Sequence, residues 1–97
     1  MNKNRRKEIS KCITSLEQVI SEAKEKLEEI QSNIENIRDE EQDYMDNMPE
    51  NLQDSDRYYT AEAAVDNLDN AINSLESIIG ELDSDEIVDY LNEAAEQ

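Results

Sequence analysis

An all-α fold is what this sequence predicts: an antiparallel helical hairpin, or coiled coil, of two long helices with a kink or short third helix near the C-terminus. Three observations carry the expectation. Apolar residues recur at steps of three and four along two long stretches. Pro49 is the only proline and Gly80 the only glycine, and the proline falls between those stretches. The chain has four Tyr but no Phe or Trp, so its core must be thin and aliphatic, while one Gly and one Pro are too few for a many-turned β fold. The expected extents are a helix over 3–46, a turn over 47–56, a helix over 57–80 and a C-terminal helix over 84–95, all in one domain spanning 1–97.

The first series runs Ile9, Ile13, Leu16, Ile20, Ala23, Leu27, Ile30, Ile34 and Ile37, meets Glu41, and resumes at Tyr44 and Met48. A sustained period of 3.5 residues makes a narrow seam that faces another helix in a left-handed supercoil. Glu41 is the polar break in it, and an unpaired buried carboxylate is costly. It must therefore reach solvent or meet a cation such as Arg38 or Arg57.

The second series runs Tyr58, Ala61, Val65, Leu68, Ile72, Leu75, Ile79 and Leu82, broadened by Ala63, Ala64, Ala71 and Ile78. Two such stripes in one short chain are expected to pack on each other. Ile at both kinds of seam position favours more than two helices per bundle. Small residues at Ala23, Ala61 and Ala71 permit close approach, so a dimeric four-helix bundle is a further expected form.

Pro49 disfavours helical geometry at Met48 and stops the first helix nearby. Leu52 is expected to plug the end of the core. Asp54 or Ser55 is positioned to cap the second helix, with Asp56 placing charge at its N-terminus. So short a connection implies antiparallel neighbours. Beyond Gly80, Asp83-Ser84-Asp85-Glu86 resembles a fresh helix start, and the step from Leu82 to Ile87 breaks the heptad register.

Charge is unevenly spread. The net charge is −17, made of about +1 over residues 1–38 and −18 over residues 39–97. Such a field repels nucleic acid and anionic membrane and favours basic protein surfaces. Folding a hairpin brings Lys3, Arg5, Arg6, Lys7 and Lys11 towards Asp85, Glu86, Asp89, Glu93 and Glu96, so pairing between these groups is expected. No stretch approaches the ~20 apolar residues of a membrane span. The single cysteine, Cys12, forms no internal disulfide and fits a reducing cytoplasm.

The chemistry-bearing residues argue against catalysis. There is no histidine, which removes the commonest general base and the commonest transition-metal ligand. Cys12 has no imidazole to activate it. The carboxylate runs 39–43 and 54–56 lack the glycine and spacing of a calcium loop, and no glycine-rich phosphate loop exists. Neither cofactor, metal nor catalytic residue is expected.

Binding is what remains. Glu62, Asp66, Asp69 and Glu76 project off the second seam, where spaced carboxylates on a rigid rod can imitate a phosphate backbone. Around the turn, Tyr44 and Tyr58 fall on their seams, whereas Met45 and Tyr59 fall one place off and are expected to offer contact surface. The expected partner-binding residues are thus Glu62, Asp66, Asp69, Glu76, Met45 and Tyr59.

The segment from Asp43 to Gln53, Asp-Tyr-Met-Asp-Asn-Met-Pro-Glu-Asn-Leu-Gln, followed by Ser55 and Arg57, resembles a turn signature of a known group. The stretch Ala63 to Leu75 is similar to the acidic helix of the same group. These are small acidic helical proteins of phages and mobile elements of Gram-positive bacteria, most of them uncharacterised. The resemblance covers residues 38–80 and implies a phage-type inhibitor of a host nucleic-acid-binding or defence protein, of the anti-restriction or anti-CRISPR kind, in the bacterial cytoplasm. The rival expectation is a structural coiled-coil scaffold or self-assembling subunit.

Overall fold

The computed structural model describes residues 1–97. The chain is 88% helical with no strand, and the fold is an all-α helical hairpin. Its elements in order are α1 (Lys3–Asp46), a short 3-10 turn (Glu50–Leu52), α2 (Asp56–Glu81) and α3 (Asp85–Glu96). Contacts group the residues into two compact units: a turn unit, Leu27–Ile79, and a terminal unit made of Met1–Lys26 and Gly80–Gln97.

In the turn unit, Pro49 has φ −57° and ψ 146°, an extended geometry that stops α1. The Leu52 N–H then donates to the Pro49 carbonyl at 2.8 Å and the Gln53 N–H to that of Glu50 at 3.3 Å. Ser55 starts α2: its Oγ accepts the Tyr58 N–H at 3.3 Å, one of the donors a helix start leaves without a partner. Met48 is buried at the closed end. Leu52 stays exposed and does not plug the core as expected.

The α2 seam is as the sequence predicts: Tyr58, Ala61, Val65, Leu68, Ile72, Leu75 and Ile79 are all covered. The α1 seam is not. Beyond Leu27 the covered stripe runs through Gln31, Ile34, Arg38, Glu41, Met45 and Met48, with Glu35 and Gln42 at its margin, whereas Ile30, Ile37 and Tyr44 are 49%, 54% and 46% exposed. Leu27, Ile34, Glu41 and Met48 belong to both registers, so the two differ only in which neighbouring heptad position completes the stripe. The polar alternative is the one that packs because the ends of its long side chains find partners on α2. Gln31 Nε2 donates to Glu76 Oε1 at 3.1 Å, and Arg38 Nη1 donates to Asp69 Oδ1 at 3.1 Å. Both residues are partly covered, as long side chains are when the stem lies along apolar surface and the polar head reaches out of it. Glu41 meets neither Arg38, which is spent on Asp69 and Asp39, nor Arg57.

In the terminal unit Ile9, Ile13, Leu16, Ile20 and Ala23 of α1, Leu82, and Val88, Leu91, Ala94 and Ala95 of α3 are partly covered, to the same degree as Tyr58, Leu68, Leu75 and Ile79 of α2. The break before α3 spans residues 82–84. Asp83 Oδ1 accepts the Asp85 N–H at 3.0 Å, while Ser84, the N-cap residue, makes no side-chain cap bond. The expected pairing of the basic N-terminus with the acidic C-terminus does not form. Arg6 Nε instead donates to the Ala95 carbonyl at 2.9 Å, and the one ion pair among the N-terminal cations is Lys11 with Glu8, a neighbour on the same helix. Exposed pairs gain too little to hold two long side chains in one geometry.

Candidate protein-binding surface

Along α2, Tyr59, Glu62, Asp66, Asp69, Asn73 and Glu76 recur at steps of three and four, so they share one face of the helix. That face is the edge of the turn unit on which Gln31 and Arg38 reach across from α1. At 1.5 Å per residue the carboxylates from Glu62 to Glu76 span about 21 Å. Glu62 and Asp66 are exposed. Glu76 is exposed and Asp69 partly covered, and each holds a partner on α1, Gln31 and Arg38 respectively. The sequence-predicted acids therefore divide into a free pair and an engaged pair.

Arg38 has its pKa raised further above its usual value, first by its hydrogen bond to Asp69 and then by that to Asp39. It stays cationic at any working pH and removes one unit of negative charge from the middle of the stripe. Tyr59 lies at the turn end of the same face, half-exposed, with its hydroxyl donating to Asp54 Oδ1 at 3.4 Å. Its pKa is raised, chiefly by the negative charge of Asp54, with partial desolvation and Glu62 adding to it. The phenol is thus a neutral donor at the edge of an anionic surface.

Met45 is the correction. Expected on the surface, it is only 5% exposed and packs with Ala61 and Val65, with Tyr58 against them. Tyr44 is the residue of that pair that faces solvent. Gln31 and Arg38, which set the geometry of the acidic edge, carried no expected role in binding. Their signal in the sequence was a heptad spacing to each other and a complementary spacing of Glu76 and Asp69 on α2.

No group of three or more His, Cys, Asp or Glu side chains is placed to hold a metal ion. No helix is long and apolar enough to cross a membrane. In the terminal unit a shallow, open groove lies between Glu17, Ile20, Ser21 and Lys24 on one side and Asp83, Ser84 and Asp85 on the other.

Fold and surface together define an acidic, all-helical hairpin with one carboxylate-lined edge. Compared with protein-family models, curated proteins and solved structures, the chain matches none.

Proposed function

We propose that this protein is a non-catalytic binding module that docks its acidic α2 edge onto a basic surface of another protein. The observation that carries the reading is the alignment of Glu62, Asp66, Asp69 and Glu76 on one face of a rigid helix, with Glu62 and Asp66 free of any intramolecular partner. Fixed carboxylates on a helix lose little entropy on binding and steer a cationic partner from a distance. A basic surface of this kind is found on nucleic-acid-binding proteins. The more specific form, suggested by the resemblance of the turn segment, is a phage-encoded inhibitor of a host nucleic-acid-binding or defence protein that works as a DNA mimic in the bacterial cytoplasm.

Charge density bears on that specific form. One DNA strand carries a phosphate about every 3.4 Å of axis, or about six over the length of this edge. The stripe offers four carboxylates, one of them paired with Arg38. Support is therefore better for recognition of a basic patch than for a close copy of a phosphate backbone.

The test uses the full chain immobilised as bait in extract from a Gram-positive host, with elution by rising salt. Basic proteins should be retained at low salt and released as the salt concentration rises. Glu62→Lys combined with Asp66→Lys should weaken capture by at least ~10-fold, the loss expected when a few charge contacts are reversed. Capture that ignores both salt and this double change would overturn the reading.

A further inference from the structure

The edge of the turn unit opposite the acidic one is apolar. Ile30, Ile37 and Tyr44 recur every seven residues along α1, and Ala64, Ala71 and Ile78 every seven along α2, so each trio shares one helix face. The bonds Gln31–Glu76 and Arg38–Asp69 fix the level of the two helices and mark the polar edge. Each trio emerges on the other side of its own covered stripe. In an antiparallel pair, related by a two-fold axis normal to the helix plane, those sides coincide. Ile30 then stands level with Ile78, Ile37 with Ala71 and Tyr44 with Ala64, in one surface.

We infer that this face is the contact surface for a second copy of the chain, joining two turn units into a four-helix bundle. Three observations select that occupant. The first is area. Ile30, Ile37, Tyr44 and Ile78 are each about half exposed, together on the order of 400 Å² of apolar surface, the size of the largest apolar patch on a typical protein, which is often a functional one. Over a helical segment of about 30 Å and a width of about two helix diameters, copy on copy, the pair buries about 1,200 Å² in total, the lower bound for a specific interface.

Charge is the second. Between Tyr58 and Ile79 the charged residues of α2 are Glu62, Asp66, Asp69 and Glu76, all on the other edge. The apolar side carries Thr60, Ala64, Asn67, Ala71, Ser74 and Ile78, none of them charged. A chain of net charge −17 can approach its own copy only across such a surface.

The third is the state of the core. Only Met45, Met48, Ala61, Val65 and Ile72 are buried hydrophobics, and no side chain is fully enclosed. Two helices alone leave their Ile-rich faces half covered, and two hairpins packed face to face cover them.

Glu40 and Glu41 border the face on α1, so copies still repel at low ionic strength and salt should strengthen the pairing. This dependence is opposite in sign to that of docking on a basic partner, so failure of one reading leaves the other standing. Sedimentation equilibrium on the full chain is the experiment. The expected mass is twice 11.2 kDa, with dissociation shifting to higher protein concentration as salt is withdrawn. Ile37→Glu, and separately Ala71→Glu, should give a monomer whose circular dichroism keeps its helical signal, because both positions are exposed. Glu62→Lys with Asp66→Lys should leave the mass unchanged. Ala71→Cys in a Cys12→Ser background should oxidise to a covalent dimer, a readout that does not depend on whether a glutamate variant folds. A monomer at all salt concentrations, or a dimer that survives both glutamates while the Ala71→Cys variant fails to cross-link, would overturn the inference.

Discussion

The turn unit and the terminal unit are each held together by different means. Every buried hydrophobic residue lies in the turn unit: Met45, Met48, Ala61, Val65 and Ile72. So do both bonds that join a side chain of one helix to a side chain of another, Gln31 to Glu76 and Arg38 to Asp69. In the terminal unit no seam residue is fully buried, the single buried residue is Ser84, and the one side-chain bond between helices is Arg6 to the Ala95 carbonyl. The α3 helix has 12 residues, a length at which an isolated helix is marginal in water. Along α1 the spacing of apolar residues is equally regular in both units. What separates them is whether the partner helix is long enough, and close enough, to enclose what the spacing presents.

The largest expected effect tests that contrast through the cores. Ile72→Ala should cost about 2–4 kcal/mol, as deletion of a buried aliphatic side chain does. Leu91→Ala, at a half-covered site, should cost less than half as much. Urea unfolding followed by circular dichroism measures both, and equal losses would erase the distinction between the units. At a smaller scale, hydrogen exchange should show backbone amides of Asp85–Glu96 exchanging well before those of Ala61–Ile72, because local opening follows the number of buried apolar contacts. The smallest effect concerns helix starts. Ser55→Ala removes an Oγ that accepts the Tyr58 N–H and should cost about 1 kcal/mol. Ser84 makes no such bond, so Ser84→Ala should shift the midpoint by much less. A reversal of that order would show that the break before α3 is capped in solution.

The sequence expresses some of this plainly. Both long helices follow from the three-and-four spacing, and α1, at Lys3–Asp46, ends where Pro49 and its preceding residue demand. Which stripe of α1 would face inward was not legible. Leu27, Ile34, Glu41 and Met48 serve two neighbouring registers, and hydrophobicity favours the one through Ile30, Ile37 and Tyr44. The packed register depends on side chains more than thirty residues away, because Asp69 and Glu76 are what satisfy the polar ends of Arg38 and Gln31. Long-range partners of that kind leave no mark on local periodicity. The same slip explains Met45 and Tyr44, whose positions are exchanged relative to expectation.

The acidic edge was legible, since a face of carboxylates repeats with the helix. That two of its four members are engaged was not, for the same reason as the register. The expected attraction between the basic N-terminus and acidic C-terminus failed on magnitude: opposite net charges at two ends of a chain bring side chains near one another, but each exposed pair is worth too little to hold a defined geometry.

The segregation of charge on α2 has a consequence for valence. Because the carboxylates and the uncharged Thr60–Ala64–Asn67–Ala71–Ser74–Ile78 surface occupy opposite sides, engaging one does not obstruct the other. A paired assembly would then carry two outward-facing anionic edges. Against a target that repeats its cationic patch, the second attachment becomes intramolecular, and avidity can exceed the affinity of either edge by about 10²–10⁴ without a single added contact.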